Sequence, residues 1–245
     1  MTRFHPIWLG RVPYAEALAL QRALHAARAE EAIQDVLLLL EHPPTITHSF
    51  TGRGRENLVA TAQQLQARGV AVEPTDRGGN ITFHGPGQLV GYPIIKLDEG
   101  ERDLHRYLRR IEEVLIALAR AFGVQTGLVP GRTGTWLLDE AGNGVAKLAA
   151  IGVKASRWTT LHGFALNVRT DLSFFDLIVP CGISDAGVTS LERQAQGRGV
   201  PPPEVAAVAA VAAQCFAEVF DRVASPASEQ VRMLCSSHGA DPRDL

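Results

Sequence analysis

At 245 residues the chain is long enough to bury one substantial core, and α/β folds of this length commonly stay a single domain. A formal net charge of −2 excludes the strongly basic footprint of a general nucleic-acid binder, while 46% hydrophobic and 20% charged residues is an ordinary globular composition. The 3 cysteines lie in the last third of the chain and form no disulfide framework, which points to a reducing compartment.

The N-terminal MTRFHPIWLG lacks the long apolar run of a signal peptide, so a cytoplasmic location is expected. After Pro13, residues Ala17, Leu20, Leu24 and Ala27 recur at helical spacing and give one apolar face. Val36 to Leu40 is a continuous apolar run ended by His42-Pro43-Pro44, the pattern of a buried strand. Thr61 to Arg68 reads as a short helix stopped by Gly69, with a strand starting at Val70 to Val72. Asp103 is the expected N-cap of a helix reaching Phe122, whose stripe is Leu104, Leu108, Ile111, Leu115, Leu118 and Phe122. Strands are expected at Thr135 to Leu138, Val145 to Val153 and Leu161 to Val168.

Three prolines, Pro201 to Pro203, introduce a last helix from Glu204 to about Val223. Its Ala/Val-rich part is interrupted by Gln214 and Glu218 and falls short of the ~20 apolar residues of a membrane span. The tail from about residue 225 carries little pattern and is expected to be loosely ordered. Strands outnumber helices in the middle and do not alternate with them. The expected fold is therefore a single α/β (α+β) domain over 1–245, with a mixed sheet flanked by helices.

The densest unusual segment is RGGNITFHGPGQ, Arg77 to Gln88. Adjacent glycines permit close backbone approach, and Ile81 and Phe83 alternate with Thr82 and His84, so a strand follows the turn. The run leads into a strand, which rules out a dinucleotide fingerprint, and it lacks the Gly-Lys-Ser/Thr ending of a P-loop. It suits backbone amides and one fixed charge, Arg77, held beside a ligand; the plainer alternative is a tight hairpin with a surface arginine.

Cys215 sits in the apolar helix as a small hydrophobe, and Cys235 in the tail has no partner signal. Cys181 differs, because Pro180 and Gly182 bracket it on a constrained loop. It is either a structural thiol or one activated by a nearby cation. Lys147 is the one cation within Val145 to Val153, where alternation places Val145, Lys147 and Ala149 on one face. Such a lysine either snorkels to solvent or sits in a low-dielectric site. The 8 histidines show no H-x-x-x-H pair and there is no C-x-x-C, so no metal site is expected.

Together these segments resemble the lipoyl (octanoyl) transferase family. The matching pieces are LLLLEHPP (Leu37 to Pro44), RGGNITFHGPGQLVGY (Arg77 to Tyr92), GRTGTW (Gly131 to Trp136), KLAAIGVKASRW (Lys147 to Trp158), HGFALNV (His162 to Val168) and PCGI (Pro180 to Ile183), in the family's order. The resemblance implies a fold like the catalytic domain of biotin and lipoate protein ligases. It implies an acyl-thioester on Cys181, with Lys147 lowering the thiol pKa. It carries acyl-substrate contacts onto Arg77, Gly78, Gly79, Asn80, Ile81, Thr82, Phe83 and His84, onto Ala150, Ile151 and Gly152, and onto Gly163, Phe164 and Ala165.

The implied donor is octanoyl-acyl carrier protein, and the implied acceptors are lipoyl domains of 2-oxoacid dehydrogenases and the glycine-cleavage H protein. No cofactor, nucleic acid or membrane is implied, and a monomer is expected. Ile81, Phe83, Ile151 and Phe164 are candidates to line an acyl slot. Arg53 and Arg55, or Arg102, Arg106, Arg109 and Arg110, are candidates for a carrier-docking patch. The stretch from Thr45 to Arg55 departs from the family's pattern and is assigned no role. Three other readings stay open: an ATP-dependent lipoate or octanoate ligase, a cysteine hydrolase using His84 or His162, and a silent carrier-binding protein.

Overall fold

The computed structural model describes residues 2–50, 53–180 and 186–245. The first half of the chain gives β1 (Thr2–Arg11), α1 (Tyr14–Ala29), β2 (Asp35–Glu41), β3 (Thr45–Ser49), α2 (Ala62–Ala67), β4 (Ala71–Thr75), β5 (Ile81–His84), β6 (Gln88–Ile94) and α3 (Leu104–Ala121). The second half gives β7 (Gly127–Val129), β8 (Arg132–Leu138), β9 (Gly144–Ser156), β10 (Thr159–Asn167), β11 (Gly187–Val188), α4 (Leu191–Gln196), α5 (Val205–Val219), β12 (Arg222–Ala224), α6 (Glu229–Ser237) and β13 (Arg243–Asp244).

A mixed sheet runs in the order β12-β1-β2-β6-β10-β9-β8-β7, with β13 added on β1 and β11 on β9. β1 is parallel to β2 and β12, whereas β2, β6, β10, β9, β8 and β7 are successively antiparallel. β2 shows why its apolar run is continuous. Leu37 and Leu39 enter one core with Ile111, Leu115 and Leu118 of α3 and Val208, Ala212 and Phe216 of α5. Val36, Leu38 and Leu40 enter the other, with Leu20 and Leu24 of α1 and Val231 and Cys235 of α6. Both faces of the strand are covered, so neither side alternates to polar.

A second, three-stranded sheet has the order β4-β3-β5, with its own small core of Ile46, Ile81, Phe83, Phe175 and Ile178. It stands beside the main sheet and carries the glycine-rich run between β4 and β5.

Local signals explain the helix boundaries. Thr61 and Gln64 form a reciprocal capping box on α2, and Asp103 accepts the His105 and Arg106 amides at the start of α3. Two expectations need correction. The first two leucines of the α3 stripe do not enter the core: Leu104 is 39% exposed and Leu108 is half-buried, as is Phe122. The tail is not loose either, since α6 inserts Val231 and Cys235 into the second core, and β13 pairs with β1. Its order comes from long-range contacts that no local pattern displays. Arg222 on β12 reaches buried Asp35 at 3.2 Å and Glu101 at 2.8 Å, which locks the strand onto β1. Among the described residues no helix is long and apolar enough to cross a membrane.

Candidate active site

Strands β9 and β10 bring the two short segments of the resemblance face to face. Gly152 pairs with Gly163, Ile151 with Phe164, and Ala150 with Ala165. Where glycine and alanine replace larger residues on adjoining strands, the sheet is left with space. The glycine-rich run comes down onto this space from the small sheet. Gly78 N–H donates to Val153 O at 3.0 Å, and a Cβ on Gly152 would lie 2.7 Å from Gly78 O and 2.9 Å from Arg77 Cδ. Only glycine at position 152 allows that approach.

The result is a narrow slot of about 40 Å³. Arg77, Gly79, Ile81, Thr82, His84, Ala150, Ile151, Gly152, Gly163, Phe164 and Ala165 border it, and Tyr14, Tyr92 and His162 complete its wall. Gly78 and Asn80 face a larger outer cavity instead, about 510 Å³, which also touches Leu104, Leu108, Arg132 and Lys147. Phe83 lines neither cavity. Its ring stacks on Phe174 at 4.7 Å and meets Phe175 at 5.7 Å, so its work is in the small core.

Arg77 is less a free charge than a brace. Its Nη2 donates to both Thr47 O and Thr47 Oγ1 at 3.0 Å, and Nη1 donates to Gly78 O at 3.0 Å. The segment from Thr45, given no role above, therefore forms strand β3 and supports the guanidinium. Nor is the run a simple hairpin, because β3 lies between β4 and β5.

Behind Arg77, Asp76 receives Lys154 Nζ at 2.7 Å and His162 Nε2 at 2.8 Å. Burial raises the Asp76 pKa, yet these two hydrogen bonds outweigh it and hold the carboxyl down at about 2. His162 adopts φ of 59° within β10, and its backbone N–H donates to Gln21 Oε1 at 3.0 Å. That left-handed residue is a strained conformation held at a cavity wall.

Further back, a buried cluster of rings joins Tyr14, His42, His84 and Tyr92, with centroid separations of 5.4 to 6.1 Å. His84 Nδ1 is 2.8 Å from Gln88 Oε1, and burial with nearby His42 and Arg77 pushes its pKa well below the ordinary histidine value. Tyr14, Asp76, Tyr92 and Lys154 had no sequence signal as site residues. Their contribution arises only when four separate segments meet.

Lys147 is 9% exposed, with Nζ 4.6 Å from the ring centroid of Trp136, its partner on β8. It does not snorkel outward; it borders the outer cavity and also a small inner space that it shares with Pro180. That inner space adjoins the slot through Thr82, Ala150 and Ala165. Val188 of β11 pairs with Lys147, and Thr189 N–H donates to Lys147 O at 3.0 Å. Cys181 falls in residues 181–185, outside the described residues. On the N-terminal side of that segment Pro180 borders the same inner space as Lys147, and on its C-terminal side β11 pairs Val188 with Lys147.

Comparison with known proteins fixes the lineage of this arrangement. Residues 13–217 match the lipoyl protein ligase A/B catalytic domain. The chain belongs to that family. The chain is 53% identical over 191 residues to an octanoyltransferase of Acidobacterium capsulatum, covering 75% of this chain and 77% of that protein. It is 45% identical over 236 residues to an octanoyltransferase of Myxococcus xanthus, covering 96% of this chain but only 65% of the longer relative. Within the family it thus groups with the octanoyltransferases. A lipoate-protein ligase A crystallised with ATP superposes with a TM-score of 0.68 at 15% identity, covering 96% of this chain and 93% of that one, a likeness of fold.

The carrier-docking expectation is narrowed by the same geometry. Arg109 bonds Glu112, and Arg110 lies over the Phe220 ring at 4.4 Å while donating to Val219 O. Arg110 serves the packing of α3 against α5, whereas Arg109 stays half-exposed beside Glu112.

Proposed function

We propose that this chain transfers an octanoyl group from octanoyl-acyl carrier protein to a lysine of lipoyl domains, through a thioester on Cys181. Acceptors of this chemistry are the lipoyl domains of 2-oxoacid dehydrogenases and the glycine-cleavage H protein. The observation that carries the reading is the convergence on Lys147. A buried ammonium borders a space shared with Pro180, next to a slot walled by paired glycines and alanines. An apolar slot suits an alkyl chain, since burying each CH₂ contributes about 0.8 kcal/mol.

The chemistry has two halves. The Lys147 ammonium favours the Cys181 thiolate, because an opposite charge within about 4–6 Å stabilises the ionised form. The thiolate sulfur attacks the donor's carbonyl carbon, the carbon–sulfur bond to the carrier breaks, and the departing carrier thiolate takes its proton from the Lys147 ammonium, which becomes neutral. The acceptor amine then attacks the acyl-cysteine, its nitrogen forms the amide, and the cysteine sulfur leaves. A lysine amine has a free pKa of about 10.4 and needs a base; Lys147, neutral while its anionic partner is acylated, takes that proton. The thioester itself supplies the activation, so no nucleotide enters either half.

A ligase would depend on Lys147 without needing Cys181, which sets the decisive experiment. Incubation with octanoyl carrier protein is expected to give one octanoyl adduct by intact mass, absent from Cys181→Ala. Turnover that survives Cys181→Ala and requires ATP would overturn the reading.

A further inference from the structure

We infer that the outer cavity is the seat of the donor's pantetheine arm, with Leu104 and Leu108 packing on the arm's branched apolar segment and Asn80 accepting one of its amide N–H groups. This inference rests on the octanoyl-transfer reading and deepens it. On the octanoyl-transfer reading the slot takes the alkyl chain, and the thioester carbon lies at its mouth. Whatever carries the acyl group has to continue outward from that point.

The slot and the outer cavity share Gly79, Ile151 and Gly152, and Lys147 borders the outer one. The outer space, about 510 Å³ against about 40 Å³, is far larger than a lysine side chain or an alkyl tail needs. A pantetheine arm is a long, thin chain with two amides and a carbon bearing two methyls, and it fits a space of this kind.

Two features of the lining match that chemistry. The α3 stripe buries Ile111, Leu115 and Leu118, yet its first two leucines turn onto the cavity, with Leu104 39% exposed. Leucines left facing water on an otherwise buried stripe are apolar surface without a partner in the fold. In the same lining, Asn80 Oδ1 is buried without a hydrogen-bond partner among the described residues. A buried acceptor left unmet is costly, and an amide N–H from a ligand satisfies it. Leu104 and Leu108 line only the outer cavity, so they act on the arm and not on the acyl chain.

The test isolates enzyme acylation, read as release of free thiol with no acceptor present, using two small donors. Octanoyl-pantetheine carries the branched segment, and octanoyl-N-acetylcysteamine stops short of it. Loss of leucine packing in Leu108→Asp or Leu104→Asp is expected to lower kcat/KM for octanoyl-pantetheine by about tenfold and to leave octanoyl-N-acetylcysteamine within about twofold. Leu104 is exposed enough that its variant folds even if Leu108→Asp does not, and thermal melts by circular dichroism check both. Equal losses for the two donors, or no loss for octanoyl-pantetheine, would overturn the inference. Acylation by octanoyl carrier protein but by neither small donor would also overturn the inference, whereas a wild-type enzyme acylated by none of the three would overturn the octanoyl-transfer reading and the arm's seat with it.

Discussion

His42 gives the fold a measurable acid sensitivity. It is fully buried, its Nδ1 lies 2.7 Å from Val12 O and its Nε2 lies 2.7 Å from the Tyr92 hydroxyl. The carbonyl requires an N–H, and Nε2 is then free to accept from tyrosine, so the partners fix a neutral ring. Burial lowers its pKa from 6.5 to about 4, against the smaller opposing effect of the Val12 carbonyl. Rings of Tyr14, His84 and Tyr92 surround it. Between those two pKa values the unfolded chain binds more protons than the folded one. Stability contributed by neutral His42 is therefore complete above about pH 6.5 and is lost as pH falls toward 4. At 1.36 kcal/mol per unit, His42 alone costs about 2 kcal/mol between pH 7 and pH 5. Urea unfolding at pH 7, 6 and 5 should show His42→Asn losing about 2 kcal/mol less than the wild type over that range. The variant retains some slope, because burial also lowers the pKa of His84 and His162. Parallel stability curves for the two proteins would refute the assignment of a neutral buried ring.

Gly152→Ala drives a Cβ against Gly78 O and lifts the glycine-rich run from β9. Overpacking of this kind costs about 1–3 kcal/mol, so the melting temperature should fall by several degrees and octanoyl transfer should drop sharply, both readable on one purified variant. Lys147→Ala should raise the apparent pKa of Cys181, followed by the pH dependence of its alkylation, by about one unit or more; unchanged values would remove Lys147 as the thiol's activator. Asp76→Asn weakens the bonds from Lys154 and His162. It should cost about 1–2 kcal/mol at pH 7 in denaturant unfolding, and the difference from wild type should shrink only as pH falls from about 4 toward 2, where the native carboxyl is protonated. Phe216→Ala deletes a ring stacked 4.3 Å from Phe220 and 5.2 Å from Phe4, and calorimetry or urea midpoints should show a loss of about 3–5 kcal/mol.

Elements whose stability is local were legible in the sequence. Asp103 marks α3 because its carboxylate meets amides two and three residues on, and β2 is apolar from Val36 to Leu40 because a helix layer covers each face. β3 was not legible: Thr45 to Ser49 is polar, and it becomes a strand only between β4 and β5. The order of the tail is hidden from the sequence for the same reason, since α6 is held by Val231 and Cys235 in a core built from β1, β2 and α1. In the site, the glycine-rich run and Lys147 stood out as local anomalies. Tyr14, Asp76 and Tyr92 did not, because their meaning depends on neighbours more than 60 residues away, as in the Tyr14–Thr75 and Lys154–Asp76 bonds.

The alternation that identifies β9 and β10 conceals what they are for. Periodicity reports where side chains go, whereas the slot exists where they are missing. Gly152 opposite Gly163 and Ala150 opposite Ala165 flank the one large pair, Ile151 and Phe164, and the next strand repeats the economy at Gly91. A Cβ on Gly91 would lie 2.2 Å from the Phe164 ring, and one on Gly163 would lie 2.1 Å from Gly91 O. The Phe164 ring is thus seated by glycine on β6, and its position in turn defines the slot wall. Dimensions of the slot are set by strand spacing and backbone contact, which do not flex as a side-chain floor would. Enlarging a residue in this row should therefore abolish binding outright, rather than shift preference to a shorter chain.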